Sequence, residues 1–152
     1  MKSLFRISVC LFTTVLLLFA KLSFGQKDFS KLSVSLDSLY GYNDQNPIKL
    51  KKGNQKKSID NTYKFLSGLK TTDNQSLKLL FRETVDNSNY REPIINIRNK
   101  YDGMPINGKL PFLDKYVFLT SNTKDTLKLY VDIYNKGELL VPVGLKYEAP
   151  KE

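Results

Sequence analysis

The sequence contains no histidine and no tryptophan, and its one cysteine, Cys10, lies near the amino terminus. Hydrolases that rely on a histidine base are therefore excluded, and so are zinc sites built from histidine and cysteine. Without a second cysteine, no disulfide can form within the chain. What remains is the chemistry of carboxylates, lysines and tyrosines, and we predict no catalytic residue, no metal site and no cofactor.

The first 25 residues have the three parts of an export signal. A basic start with Lys2 and Arg6 precedes an apolar stretch at residues 9–20, and Ser23-Phe24-Gly25 offers small residues to a signal peptidase. A retained membrane-spanning helix is the alternative, but it requires about 20 apolar residues, more than this stretch provides. We predict cleavage between Gly25 and Gln26, export to the periplasm or beyond the cell, and no transmembrane segment in the mature chain.

Cleavage at this site removes 25 of the 152 residues and leaves 127, the size of one domain. We predict an N-terminal arm over residues 26–45 and a single α+β domain over residues 46–152. The removed segment carries three basic residues and no acid, so the formal net charge falls from +9 to +6. This charge favours an anionic glycan or envelope component as partner. The chain lacks the Arg-rich tract and aromatic motif that indicate nucleic-acid binding.

Residues 49–57, KLKKGNQKK, carry five lysines and no acid. One interpretation is a contact for an anionic partner. The other is a solvated loop whose lysines keep the protein soluble, which is the commoner role of such charge runs.

Residues 58–70 have the spacing of an amphipathic helix. Ser58 is a suitable N-cap, because its hydroxyl oxygen can accept a hydrogen bond from an N–H of the first turn. Gly68 and Lys70 suit the C-terminal end. We expect its apolar face to pack against a sheet and not to form a ligand wall. That face consists of Ile59, Tyr63, Leu66 and Leu69, widened by Phe65.

Apolar runs elsewhere predict β-strands. The clearest lie at residues 76–85, 113–121 and 126–134, and the last two flank the turn sequence SNTKD and form a hairpin. Weaker runs at residues 32–36, 47–50 and 139–147 are expected at sheet edges, where prolines are tolerated. The sequence therefore predicts an α+β fold in which a small antiparallel sheet of roughly four to six strands packs against one main helix.

The hairpin register decides which side chains share a face, and the loop length leaves two options. A three-residue loop brings the aliphatic faces of both strands together, whereas a four-residue loop pairs Lys115 with Asp132. An aromatic row is expected on the other face, and it either stacks on sugar rings, as in a carbohydrate-binding module, or is covered by residues 28–40 or by the long loop. The row consists of Tyr116, Phe118, Tyr130 and Tyr134.

The long connection at residues 86–111 is our preferred position for a site, because such loops often carry function. Its candidate polar anchors are Arg91, Arg98 and Asp102. An enzyme that uses Asp102, Asp114 or Asp132 for acid–base chemistry is an alternative, although no spacing fixes two of them at a working separation. Asp132, which stands between tyrosines, is expected to accept structural hydrogen bonds.

Three motifs are shared with a known group of sequences. They are a Tyr-Gly-aromatic turn before Asn-Pro-Ile-Lys, a helix with Asn-x-x-x-Phe-Leu-x-x-Leu, and a closing strand and turn. In this chain they comprise Tyr40-Gly41-Tyr42, Asn46-Pro47-Ile48-Lys49, Asn61, Phe65, Leu66, Leu69, Leu113-Asp114-x-Tyr116 and Tyr130-x-Asp132-x-Tyr134-x-x-Gly137-x-Leu139-x-x-Pro142-x-Gly144. The chain thereby resembles a family of small exported proteins from Bacteroidetes-type bacteria. Many similar sequences also carry a Cys-Cys pair, which is missing here.

The resemblance implies an exported protein and supplies no catalytic residues. Some similar proteins carry the label of a deoxy-octulosonate-phosphate aldolase, an activity expected on a β/α barrel of about 250 residues. We expect a non-enzymatic accessory or binding protein of the bacterial envelope. A carbohydrate-binding module and an enzyme with the aldolase label are the alternatives.

Overall fold

A computed structural model of the protein describes residues 29–150, except residues 52, 93, 96, 107–109 and 122–124. The predicted export signal and its cleavage site lie outside the described residues, and so does the tip of the predicted hairpin. Among the described residues, no helix combines the length and apolar character that a membrane-spanning segment requires.

The described residues form one α-helix, a 3-10 turn at Phe29–Lys31 and two small sheets. Helix α1 spans Gln55–Ser67, and the strands are β1 (Ile48–Lys49), β2 (Leu69–Thr71), β3 (Leu77–Asp86), β4 (Phe112–Thr120), β5 (Thr126–Asp132) and β6 (Leu145–Tyr147). The larger sheet has the order β1-β5-β4-β3, while β2 and β6 pair separately. The predicted α+β fold with a small sheet and one main helix is confirmed.

The larger sheet is mixed, because β1 runs parallel to β5. The other two strand pairs, β5–β4 and β4–β3, are antiparallel, as predicted. A parallel pair needs a long connection, and α1, β2, β3 and β4 all lie between β1 and β5 in the chain.

Helix α1 begins at Gln55, so its N-cap lies four residues before the predicted N-cap, Ser58. Asn54 is the N-cap, and its side chain accepts a hydrogen bond from the Lys57 N–H at 3.0 Å. Ser58 lies one turn inside, where its hydroxyl donates to the Asn54 carbonyl at 3.2 Å. Lysines are unfavourable near the positive end of a helix, so the first turn carried no helical signal. At the other end Gly68 caps α1, and Leu69 and Lys70 belong to β2.

The buried face of α1 is rotated from the predicted one. Ser58, Thr62, Phe65 and Leu66 are buried, whereas Tyr63 is 47% exposed. Phe65 fixes this orientation, since its ring meets Phe29 edge-on at 5.6 Å and stacks on Tyr147 at 5.9 Å.

The β4–β5 hairpin adopts neither of the two registers considered. Lys115 pairs with Tyr130, and Tyr116 pairs with Leu129. Because paired residues point to the same face, the aromatic side chains of β4 share the helix-facing side with the aliphatic side chains of β5. This places bulky Tyr116 and Phe118 in the layer beneath α1.

Strand β3 is confirmed, but its alternation is broken. Leu79 pairs with Phe118 and Phe81 pairs with Val117, so Leu80 is an extra, bulged residue. Leu79 and Phe81 therefore do not continue one regular face. Strand β3 forms an edge of the sheet, and only Leu77 and Val85 among its ten residues are partly buried.

The residues before β1 are integrated into the core. Phe29 and Tyr40 are buried, and the Tyr40 hydroxyl accepts a hydrogen bond from the Leu140 N–H at 3.1 Å. The predicted strand at residues 32–36 is reduced to one parallel bridge between Val34 and Val141. Leu36 is fully exposed, because no second strand continues the pairing.

The chain end forms a shorter strand than expected. Of residues 139–147, only Leu145–Tyr147 is a strand, and it pairs with β2. Leu139 and Val141 are nevertheless buried, so this segment contributes to the hydrophobic core.

Candidate functional site

The four aromatic side chains predicted to form a row do not share one surface. Tyr116 and Phe118 lie under α1 and are 1% and 3% exposed. Tyr130 lies on the opposite face of the sheet, because it pairs with Lys115. Tyr134 follows the end of β5 and packs half-buried against the core. The hairpin register thus leaves no continuous aromatic platform for a sugar ring.

Tyr116 and Asp114, both buried, form a polar cluster with Arg82 that joins β4 to β3. The Arg82 Nη2 donates to Asp114 Oδ1 at 2.8 Å, and the guanidinium lies 5.9 Å from the centre of the Tyr116 ring. Burial, together with the negative charge of Asp114, raises the pKa of the Tyr116 phenol. Burial lowers the pKa of Arg82, but the hydrogen bond and charge of Asp114 outweigh it and raise that pKa. Asp114 therefore has a structural partner in this cluster.

The three carboxylates considered for catalysis lie in separate places. Asp114 lies on the helix-facing side of β4, and its pairing with Val131 places Asp132 on the other face. Asp102 lies in the exposed long loop, where it accepts a hydrogen bond from the Met104 N–H at 2.9 Å. In the part of the chain that the structure describes, no group of three or more Asp, Glu, His or Cys residues could hold a metal ion.

Two of the three loop candidates hold the loop itself together. The Arg98 Nη1 donates to the Gly103 carbonyl at 3.2 Å, and Asn99 and Met104 are joined by a backbone hydrogen bond of 2.8 Å. Asp102 closes the turn of the same small ladder. The exposed positions of Arg98 and Asp102 in this ladder indicate a local structural role.

Arg91, the third candidate, borders a polar cavity of about 370 Å³. The cavity lies where β1, the start of the long loop and the turn after β5 meet. Its walls bring together cations from all three segments, namely Lys49, Arg91 and Lys136, and we call it the cationic pocket. The other lining residues are Gln45, Pro47, Asn87, Asn89, Tyr90, Asp132 and Asn135.

Asp132 stabilises the turn that forms one wall of the cationic pocket. Its Oδ1 accepts hydrogen bonds from the N–H groups of Tyr134 and Asn135 at 2.8 and 2.9 Å. Its Oδ2 accepts from the Asn135 Nδ2 at 2.7 Å, and the residue is 2% exposed. The expectation that Asp132 is a structural acceptor is confirmed. By holding this turn, Asp132 positions the neighbouring Lys136 beside β1.

Lys49 reaches the pocket along the surface of the same turn. It lies on β1 directly beside Asp132 in the sheet. Its aliphatic stem passes over Gly137, where a Cβ atom would collide with the Lys49 Cδ. Glycine at residue 137 therefore provides the space in which the lysine stem lies.

The loop wall of the pocket is held by local hydrogen bonds. The Asn87 Oδ1 accepts from the Asn89 N–H at 3.0 Å, and the Asn89 Nδ2 donates to the Gln45 carbonyl. The Arg91 Nη1 donates to the carbonyls of Ser88 and Tyr90, each at 3.1 Å. One end of the guanidinium is thus fixed, while the residue as a whole is exposed.

The cations of the pocket keep their charge available. The ion pairs among the described residues use Lys70, Arg82, Arg98 and Lys115. The single acid in the pocket wall, Asp132, is fully hydrogen-bonded to its own turn. The pocket therefore combines three positive charges with one enclosed negative charge, which favours an anion.

Comparison with protein-family models, curated proteins and solved structures finds no match.

A second cavity, of about 330 Å³, lies at the start of α1. Met104, Pro105 and Ile106 of the long loop face Asn54 and Ser58 across it. The Asn54 side chain already caps the helix. This cavity marks the packing of the loop against α1 and brings together fewer charged groups than the cationic pocket does.

Sequence reasoning found one of the three pocket cations directly. Arg91 was a site candidate, and Lys49 belonged to the lysine run for which an anionic partner was one interpretation. Lys136 was missed, since a lysine in an Asn-Lys-Gly turn is typical of any exposed turn. Only the parallel pairing of β1 with β5 brings Lys49 beside that turn.

Proposed function

We propose that this protein is an exported, non-enzymatic binding protein of the bacterial envelope, and that its cationic pocket holds the anionic group of a glycan. The observation that carries the proposal is the convergence of Lys49, Arg91 and Lys136 on one polar cavity. A carboxylate or sulfate placed there would receive charge-assisted hydrogen bonds, which are stronger than neutral ones.

The rest of the pocket suits a sugar. Amide side chains and a tyrosine are groups that hydrogen-bond and contact sugar hydroxyls and ring faces, and Tyr90, Asn87 and Asn135 line the cavity. The volume of about 370 Å³ is enough for a small ligand. The predicted export signal at residues 1–25 supports an envelope location, where acidic glycans are encountered.

The arrangement of the acids favours binding over catalysis. Asp102, Asp114 and Asp132 each have a structural hydrogen-bonding partner and lie apart from one another. Acid–base hydrolysis of a sugar requires two carboxyl groups facing one substrate. The aldolase label stays a prediction from resemblance, and so does membership of the exported Bacteroidetes-type family.

Titration of the protein with glucuronate and with a sulfated monosaccharide, followed by NMR, tests the proposal. We expect weak binding, on the order of millimolar for such fragments, with shifts at residues 87–91 and 132–136. Arg91→Gln should weaken binding about tenfold, because a charge-assisted hydrogen bond contributes roughly 1.5–3 kcal/mol.

Lys56→Gln is the matched control. It removes the same charge from an exposed position in the first turn of α1, outside the pocket. We expect less than about a twofold effect. Equal binding of neutral glucose, or equal losses in Arg91→Gln and Lys56→Gln, would show that the pocket does not recognise the anion.

A further inference from the structure

Strand β3 forms an edge of the larger sheet, and most of its residues are exposed. It pairs with β4 on one side, and a single bridge between Lys70 and Ser76 precedes it on the other. From Lys78 to Asp86 its second edge has no strand partner in the described parts of the chain. The exposed side chains of Leu79, Leu80 and Phe81 add apolar surface to this edge. A long edge with apolar side chains is a typical place for pairing with another chain.

The charges on β3 protect this edge less than free charges would. Arg82 pairs with Asp114 and Glu83 pairs with Lys115, both on the neighbouring strand β4. Exposed charges normally keep an edge strand solvated and unpaired. Here Arg82 and Glu83 each lie beside an opposite charge on β4, so the repulsion that they present to an approaching strand is reduced.

We propose that β3 pairs antiparallel with β3 of a second copy of this chain, in a register centred on Thr84. In a symmetric antiparallel pair, a residue faces itself at the axis and its neighbours face each other across it. Centring on Thr84 places Thr84 opposite Thr84 and Arg82 opposite Asp86 twice, on the face that also carries Asp114. Asp86 takes part in no ion pair among the described residues.

Other registers are less favourable. Centring on Arg82, Glu83 or Asp86 places like charges directly opposite each other, which is destabilising. Centring on Phe81 requires pairing through the bulged Leu80, where the regular edge is interrupted. Centring on Val85 places Asp86 opposite Thr84 and forms no charge pair. Charge complementarity therefore selects a second copy in the Thr84 register.

The pairing would join two four-stranded sheets into one continuous sheet. The cationic pocket is lined by β1, by the turn after β5 and by residues 87–91, which directly follow β3. The dimer would carry two pockets, each bordered by residues that directly follow a paired strand. Two sites on one particle allow simultaneous contact with a repetitive polymer, which strengthens binding through effective concentration.

Cysteine crosslinking tests the register. In the chain carrying Cys10→Ser, which contains no other cysteine, Thr84→Cys places two thiols opposite each other at the axis. We expect a disulfide-linked dimer to form under mild oxidation at least about tenfold faster than with Lys78→Cys, an exposed control on the same strand. Equal rates in the two variants, or no dimer with Thr84→Cys, would overturn the proposal.

Sedimentation over a range of concentrations tests the pairing without crosslinks. We expect a reversible monomer–dimer equilibrium whose dissociation constant rises about tenfold in Asp86→Lys, because two attractive pairs become repulsive. Asp60→Lys makes the same charge change on exposed α1 and should alter it less than about twofold. A protein that remains monomeric at every concentration would contradict the proposal that a second copy pairs with β3. Equal effects of Asp86→Lys and Asp60→Lys would contradict it too.

Discussion

Asp132 and Asp102 accept hydrogen bonds in the same way but in different surroundings. Each carboxylate accepts from a backbone N–H two residues later in the chain. Asp132 is 2% exposed, whereas Asp102 lies in the exposed long loop. A buried donor that loses its acceptor has little water to replace it, and an exposed donor has plenty. Burial, and not the sequence of the turn, therefore decides the importance of each acid.

Substitution of these two acids tests that argument. Asp132→Ala should lower the free energy of unfolding by about 2 kcal/mol, because it removes a buried acceptor for the N–H groups of the partly buried Tyr134 and Asn135. Asp102→Ala should change it by less than about 0.5 kcal/mol. Urea denaturation followed by circular dichroism gives both values. Equal effects would mean that the hydrogen bonds of Asp132 do not stabilise the turn.

At the scale of the element, α1 shows how a helix start can be hidden by charge. Its first turn, Gln55 to Ser58, contains two lysines and no acid, a combination that the helix dipole disfavours. The helix still begins at Gln55, because Asn54 caps it and the next turns bury Thr62 and Phe65. Packing of the later turns therefore compensates for an unfavourable first turn.

The cap can be tested by itself. Asn54→Ala should destabilise the protein by about 1 kcal/mol, since the Lys57 N–H loses its acceptor. Asn54→Asp retains an acceptor and places a negative charge at the positive end of α1, so we expect no loss of stability. Thermal unfolding curves measured by circular dichroism would distinguish the variants. An unchanged Asn54→Ala protein would mean that the helix start is held elsewhere.

At the same scale, the residues of β3 were predicted correctly, but the exposure of the strand was not predicted. The alternation of residues 76–85 predicted a strand. The bulge at Leu80 and the position of β3 at the sheet edge leave the strand exposed on both sides. Neither feature has a local sequence signal, because a bulge is an event between two strands.

At the scale of the whole molecule, the residues before β1 complete the core. Phe29 is 2% exposed and meets both Phe65 of α1 and Tyr147 of β6 edge-on, at 5.6 and 5.5 Å. The first described turn of the chain therefore joins the helix to the last strand. Leu36, seven residues later, is fully exposed and contributes no such contact.

Alanine substitutions separate these two residues. Phe29→Ala should lower the free energy of unfolding by about 3–4 kcal/mol, because it opens a cavity among buried rings. Leu36→Ala should have an effect within about 0.5 kcal/mol. Chemical denaturation supplies the measurement, and a small effect of Phe29→Ala would show that this segment is not part of the cooperative unit.

The candidate site could be predicted only in part. Arg91 and the lysine run that includes Lys49 carried a signal, namely charge in a long connection and in a segment without acids. Their meeting with Lys136 depends on β1 pairing parallel to β5. Contacts between segments more than 80 residues apart have no periodicity to reveal them, so the pocket itself was beyond sequence reasoning.

The sequence by itself determined the α+β class, the principal helix and the three long strands, because periodic burial leaves a local pattern of apolar residues. It also ruled out histidine chemistry, because the sequence has no histidine, and a disulfide within the chain, because it has one cysteine. The tertiary structure alone decided the hairpin register, the parallel edge strand and the pocket where three cations meet. These features depend on which distant segments pack side by side, and that choice is made by the fit of the whole core, not by any one stretch of the chain.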